Sequence, residues 1–267
     1  MGKKDKQQKN KFARPWLKAS LWILLTLVLA NVFSSAGAAL SGSENTVTVA
    51  SILAAFAALL LFYLSFRKSG FRGFFGGNRK LGWLLVLPVA VYALITLVFA
   101  SKAPTLELFL FAMEAGVLEE TLFRALPIAL LVRARNFEED RMPGIIIVTS
   151  VAFGLLHITN YFSGAPLGVS VYQAALCVCT GVFLGAAYLR SGNILPMMSV
   201  HFLQDIIAFL NTTSNTDGLM NRISLTPDVI FDIVTAPVIL AFGIRYMRRE
   251  KRADAVRVWK QIWSAEE

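Results

Sequence analysis

Residues 106–132 have the sequence LELFLFAMEAGVLEETLFRALPIALLV, an apolar run that contains two adjacent carboxylates, Glu119 and Glu120, and Arg124 one turn further on. About 20 apolar residues in a helix cross the hydrocarbon core of a bilayer. An ionisable side chain at that depth costs a few kcal/mol, roughly 2.5–3.5 on insertion scales, so such residues usually have a function. The stretch therefore predicts a membrane-spanning helix that performs acid–base chemistry.

The composition places the rest of the chain in the same class. Of its 267 residues, 56% are hydrophobic and 16% are charged, whereas a soluble domain has about 25% charged residues. We predict an all-α, polytopic membrane protein of about eight transmembrane helices with an intramembrane polar active site. The candidate spans are residues 16–40, 47–66, 81–101, 106–132, 144–161, 167–189, 194–210 and 228–247. Pro127 predicts a kink in the fourth span, because it removes a backbone hydrogen bond.

The net charge of +9 is concentrated next to the spans. Basic residues precede the first span, follow the last one and alternate between connecting loops, as the positive-inside rule requires. The basic loop residues are Arg67, Lys68, Arg72, Arg79, Lys80, Arg133, Arg135, Arg141 and Arg190. This pattern predicts cytoplasmic termini, and anionic lipids as partners of the basic tails. It argues against a nucleic-acid partner. Because the sequence shows no recognised targeting signal, we expect a plasma membrane, that of a bacterium.

The tail after the last span has a helical pattern of its own. Val256, Trp259 and Trp263 in segment 248–263 lie at helical spacing, which suits an amphipathic helix on the inner leaflet; an ordinary solvated tail is an equal alternative.

The two cysteines, Cys177 and Cys179, are two residues apart, so they point to different faces of a helix. We interpret them as small buried hydrophobic residues.

Spacing divides the charged residues of the fourth span into two groups. Glu120 and Arg124 share one face of a helix, whereas Glu119 is rotated by about 100°. We therefore expect a buried ion pair between Glu120 and Arg124, and a Glu119 carboxylate that faces a cavity.

The only two histidines of the chain lie in two other spans. Phe153 and His157 are one turn apart, and so are His201 and Asp205. Imidazoles and carboxylates at membrane depth are typical of proton transfer. Glu119, His157 and His201 could instead form a zinc site. The sequence has no HExxH motif and the two histidines lie in different helices, so spacing does not decide between zinc binding and metal-free proton transfer; we favour the metal-free site.

Together these residues resemble the three motifs of the CPBP family, the CAAX-prenyl-endopeptidase-like and bacteriocin-processing membrane proteases. The motifs are EExxxR at 119–124, FxxxH at 153–157 and HxxxD at 201–205, and residues 181–196 resemble the segment that leads into the third. The resemblance covers roughly residues 105–211, about two-fifths of the chain.

The resemblance implies a catalytic core at 105–211, with four spans. The part before it, 1–104, has the basic tail and three spans, and the part after it, 212–267, has the last span and a basic cytoplasmic tail. It also implies an intramembrane endopeptidase that acts on a membrane-associated protein or peptide, without a cofactor.

Roles for individual residues follow from the same resemblance. Glu119 matches the general base that activates a water, and His157 matches the residue that holds this water. His201 and Asp205 match the pair that stabilises the oxyanion. Three further residues match supporting positions: Glu120, Arg124 and Phe153.

Asp205 departs from the prenyl-protein endopeptidase branch, which usually has Asn at this position. An ionised Asp cannot donate a hydrogen bond to an oxyanion, so Asp205 has to be protonated or has to orient His201. Two other functions are compatible with the sequence: a catalytically silent CPBP-like scaffold, chaperone or bacteriocin-immunity protein, and a proton-coupled transporter. The intact motifs favour the protease over the scaffold, and the absence of an internal repeat disfavours the transporter.

Overall fold

The computed structural model describes residue 12 and residues 14–98, 103–212 and 227–264. Helices dominate these ranges and no strand occurs in them, which confirms the predicted all-α fold. The helices are α1 Pro15–Ser41, α2 Glu44–Phe66, α3 Arg79–Val98, α4 Leu106–Glu120, α5 Leu126–Ala134, α6 Met142–Ile158, α7 Leu167–Ser191, α8 Leu195–Thr212, α9 Pro227–Tyr246 and α10 Arg249–Ile262. The basic N-terminal residues before residue 12 and the connector 213–226 lie outside the described residues.

Helices occupy all eight predicted runs, but fewer of them qualify as single spans. In the described part of the chain, five helices are long and apolar enough to cross a membrane, and α9 with α10 forms a sixth candidate that is bent by 69°. The expected number of eight is not reached for two reasons. The fourth run contains charges and is divided into α4 and α5, and α8 is a shorter apolar helix, Leu195–Leu210. The protein is nevertheless a polytopic integral membrane protein.

A π-helical turn, Thr121–Ala125, separates α4 from α5. In this turn the amide of Leu126 donates to the carbonyl of Thr121, five residues earlier. Pro127 follows directly and has no amide to donate, so regular α-helical bonding is already impossible here. The irregularity that Pro127 predicts is thus a widened turn that begins immediately after the two glutamates. Such turns occur frequently at functional sites.

Small residues allow the helices of the site to approach closely. A Cβ atom on Gly116 of α4 would lie 2.9 Å from the Met198 carbonyl oxygen and 2.9 Å from the Phe202 amide, both on α8. A Cβ atom on Gly154 of α6 would lie 2.6 Å from the Ala174 carbonyl oxygen of α7. Close backbone packing at small residues is a common way to associate helices in membranes. It holds α4 against α8, and α6 against α7.

The C-terminal helix α10 packs against the ends of α5 and α7. The indoles of Trp259 and Trp263 are buried and donate hydrogen bonds to the carbonyls of Leu189 (2.7 Å) and Ala129 (3.2 Å). The helix predicted in segment 248–263 is therefore present, but these side chains contact protein and not the lipid leaflet that we expected. An amphipathic pattern alone does not distinguish the two surroundings.

Candidate active site

His201, a buried residue of α8, lies at the centre of the candidate site. Its Nδ1 atom is 2.8 Å from Glu120 Oε1, and its Nε2 atom is 3.5 Å from Glu119 Oε2 and 3.6 Å from Asp205 Oδ2. Three carboxylates from α4 and α8 thus surround one imidazole, with one on the Nδ1 side and two on the Nε2 side.

Glu120 connects His201 to Arg124. Its Oε1 atom also lies 3.1 Å from Arg124 Nη1, and both side chains are buried, which confirms the predicted ion pair. Because a carboxylate only accepts hydrogen bonds, Nδ1 of His201 donates to Glu120, and Nε2 faces the two other carboxylates. The contact between Glu120 and His201 was not predicted from the sequence, since it joins residues that are 81 positions apart. One signal for this contact was present in the sequence. The Glu120 carboxylate can accept more hydrogen bonds than Arg124 alone would use, so it needs a further donor.

Arg124 is enclosed by apolar and small residues. Its guanidinium carbon lies 4.0 Å from the centroid of the Phe153 ring, a cation–π contact. A Cβ atom on Gly181 of α7 would lie 3.2 Å from Arg124 Nη2. Apart from the ion pair, Glu120 Oε2 and both Nη atoms of Arg124 have no hydrogen-bond partner within the described ranges. The pair is therefore held in place by packing as much as by hydrogen bonds.

Phe153 also joins the two histidines. Its carbonyl oxygen is 3.1 Å from Nδ1 of His157, and its ring contacts the rings of His157 and His201 edge-on, with centroids 4.9 and 5.9 Å apart. Since a carbonyl only accepts, His157 Nδ1 carries the proton of this bond and Nε2 is left for a water or a substrate. His157 is half-buried and lies within electrostatic range of His201 and Asp205.

The site has a closed side and an open side. On the closed side the Glu120 side chain is 0% exposed, whereas on the open side Glu119 is 24% and Asp205 is 21% exposed. A charged group that contacts a reacting molecule has to be reachable, so the open side is where chemistry can take place. The structure brings together all of the residues predicted for the site: Glu119, Glu120, Arg124, Phe153, His157, His201 and Asp205.

The zinc alternative requires the side chains of Glu119, His157 and His201 to converge on one ion. In the part of the chain that the structure describes, no three His, Cys, Asp or Glu side chains are placed to hold one metal ion together. That includes the set Glu119, His157 and His201. We therefore derive no step through a metal.

Two further residues near the site have contacts that sequence reasoning missed. Cys177 of α7 is half-buried and packs against a small apolar cluster that includes Phe153. Glu114, within α4, lies close to Ser51 on α2. For Glu114 the signal was available, since it is one of four carboxylates in the same apolar run.

The fold and the site together define an integral membrane protein with a buried acid–base centre formed by three helical segments. Residues 100–207 match the family described as type II CAAX prenyl endopeptidase Rce1-like. This match includes all three motifs, confirms the resemblance to the CPBP family over two-fifths of the chain and points to a protease. No curated protein and no solved structure matches the chain.

Proposed function

We propose that this protein is a CPBP-type intramembrane endopeptidase, which hydrolyses a peptide bond of a membrane-associated protein or peptide with a water activated by Glu119. One observation carries this proposal: the His201 imidazole lies between a buried carboxylate, Glu120, and two partly exposed ones, Glu119 and Asp205. The family match supports the same class of reaction.

Glu119 is the general base of the proposed reaction. Its carboxylate lies on the open side of the site, and apolar surroundings make a carboxylate a stronger base than it is in water. The Nε2 lone pair of His157 accepts a hydrogen bond from the same water and orients it. The water oxygen bonds to the carbonyl carbon while its proton passes to Glu119. Glu119 then gives this proton to the amine nitrogen as the carbon–nitrogen bond breaks.

His201 stabilises the oxyanion of the tetrahedral intermediate. Glu120 holds the Nδ1–H bond, so Nε2 donates to the oxyanion only when the ring is an imidazolium. The carboxylates of Glu119, Glu120 and Asp205 favour that cation electrostatically. Asp205, 3.6 Å from Nε2, orients the ring from the open side. A donor fixed before the charge develops is effective where water is scarce.

The test compares protein termini in membranes of cells that express equal amounts of wild-type protein, Glu119→Gln and Glu107→Gln. The first substitution removes the base, and removal of a general base typically costs about 10²–10⁴-fold in rate. The second is a matched control, because Glu107 is an exposed residue in the first turn of the same helix. We expect new termini with the wild type and Glu107→Gln that are absent with Glu119→Gln. Identical termini in all cells, with a cellular phenotype that Glu119→Gln still rescues, would instead support the scaffold.

We further propose that both termini lie in the cytoplasm of a bacterial cell. The basic loops that follow α2, α5 and α7 support this orientation. A tag on either terminus should resist protease in intact spheroplasts and be cleaved after lysis. Cleavage of either tag before lysis would reverse the assignment for that terminus.

A further inference from the structure

Helix α7 presents one face to the candidate site. A Cβ atom on Gly181 would lie 3.2 Å from Arg124 Nη2 and 3.0 Å from the Cβ atom of Ser150. Cys177 is four residues before Gly181, so it lies on the same face, one helical turn nearer the N-terminal end of α7. The position of Gly181 thus directs the Cys177 side chain toward the site, independently of any property of the thiol.

The contacts of Cys177 agree with this direction. Its side chain packs against the cluster formed by Leu122, Phe123 and Phe153. The thiol is also within electrostatic range of Glu119, Arg124 and Asp205. Phe153 is the residue that contacts both histidines, so Cys177 borders the group that organises the site.

Cys177 is also half-buried, like Glu119 and Asp205. Further along α7 the packing is closed, since residues 181–189 are all buried. Cys177 thus lies on the site-facing side of α7 where the helix is still partly exposed, one turn before the closed stretch that begins at Gly181. The expectation that the cysteines are simply buried does not hold for either of them.

We propose that Cys177 forms a wall of the substrate cavity beside Glu119 and limits the size of the substrate side chain next to the scissile bond. This inference rests on the proposed function. A cysteine at this position gives a small, weakly polar surface, so a larger side chain there would reduce the space available to a substrate beside Glu119. The residue at position 177 thereby determines specificity, while Glu119 and His201 determine the rate of the chemical step.

Cys179 is a matched control within the same helix. It has the same chemistry and is also half-buried, but two residues turn a helix by about 200°, so it points away from the face that contains Gly181. Substitutions at 179 repeat the change in volume and the loss of a thiol without changing the wall.

The experiment determines the residues that flank Glu119-dependent cleavage sites in membranes of cells expressing Cys177→Ala, Cys177→Phe, Cys179→Ala or Cys179→Phe. Small changes in pocket size shift discrimination between side chains by about 10–200-fold. We expect Cys177→Ala to admit larger flanking residues and Cys177→Phe to reduce cleavage next to large residues at least tenfold. Both variants at 179 should give the wild-type set. Gel filtration of the solubilised proteins identifies variants that do not fold, and Cys177→Ala alone decides if the phenylalanine variant is lost.

Two failures are distinguishable. If wild-type cells produce no Glu119-dependent termini, both the proposed function and the proposed role of Cys177 are wrong. If such termini are present but Cys177→Ala leaves the flanking residues unchanged, or Cys179→Ala changes them equally, the proposed function is retained and the role of Cys177 is wrong.

Discussion

Glu120 contacts two basic side chains with a single carboxylate oxygen, Arg124 at 3.1 Å and His201 at 2.8 Å. It is fully buried, and so is Arg124. A buried charge that loses its partner keeps the cost of its desolvation without the compensating attraction. Glu120 therefore stabilises the fold and, through His201 Nδ1, also fixes the orientation of the imidazole at the centre of the candidate site.

The substitution Glu120→Gln should consequently reduce both stability and activity. It leaves Arg124 uncompensated, and breaking a buried pair in this way costs about 3–5 kcal/mol. Glu119→Gln should lower activity with a smaller loss of stability, because Glu119 is partly exposed. Thermal unfolding of both purified variants in the same detergent measures the difference. Equal unfolding midpoints for the two variants would contradict the structural role of Glu120.

Substitutions of Asp205 can distinguish whether its negative charge or its hydrogen-bonding shape is needed. If it orients His201 from 3.6 Å, an amide of the same shape can replace it. We expect Asp205→Asn to keep cleavage within about tenfold of the wild type and Asp205→Leu to lose about 10²–10³-fold, the usual cost of a lost oxyanion-hole group. Both rates can be followed on a substrate identified from the Glu119-dependent termini. A loss in Asp205→Asn as large as in Asp205→Leu would show that the negative charge is essential.

Among the elements, α4 and α8 determine the geometry of the site. Gly116 lies one turn before Glu120, and it allows the α4 backbone to approach the Met198 carbonyl of α8. The carboxylates of Glu119 and Glu120 reach His201 only at this helix separation. A small residue one turn away from the two glutamates therefore sets the distances between the carboxylates and His201.

Gly116→Ala tests this dependence. Its Cβ atom would lie 2.9 Å from α8 backbone atoms, so the helices have to move apart, and overpacking of this kind costs about 1–3 kcal/mol. We expect a lower unfolding midpoint and at least a tenfold loss of cleavage. Gly144→Ala is the control, because a Cβ atom there meets nothing within 4 Å and alanine is the better helix former. Unchanged cleavage in a folded Gly116→Ala protein would contradict the proposed coupling.

The elements also show which features the sequence determines. The apolar runs predicted where helices lie, because a bilayer requires a helix wherever a chain crosses it, but not that the fourth run is divided in two. Pro127 signalled an irregular turn, but whether the backbone kinks or widens there depends on its packing, and the π-helical turn was not predicted. The contact between Glu120 and His201 was missed for the same reason, since only the packing of α4 on α8 brings residues 81 positions apart together. The helical spacing of Trp259 and Trp263 is compatible with burial in lipid and with burial in protein, so the sequence alone did not decide between them.

In the whole molecule, α10 is the C-terminal helix that packs on the end of the helical bundle and also has exposed side chains. It bends by 69° from α9, and its buried face, with Trp259, packs against the end of α7. Outside this buried face, α10 exposes Arg249, Lys251 and Arg257. If α9 crosses the membrane, this bend places α10 near the membrane surface, with basic side chains that protein does not cover.

We therefore expect anionic lipids to stabilise the protein through these exposed basic side chains. Each basic residue near an anionic membrane surface contributes about 1 kcal/mol, and salt screens the attraction. In phosphatidylglycerol vesicles the unfolding midpoint should exceed that in phosphatidylcholine vesicles, and high salt should reduce the difference. The triple variant Arg249→Gln, Lys251→Gln, Arg257→Gln should remove most of it, while Glu250→Gln, which removes an exposed negative charge from the same helix, should increase it slightly. The three substitutions leave the buried face of α10 and its indole hydrogen bonds unchanged, so the triple variant should fold. If it still responds fully to phosphatidylglycerol, the lipid-binding residues lie elsewhere.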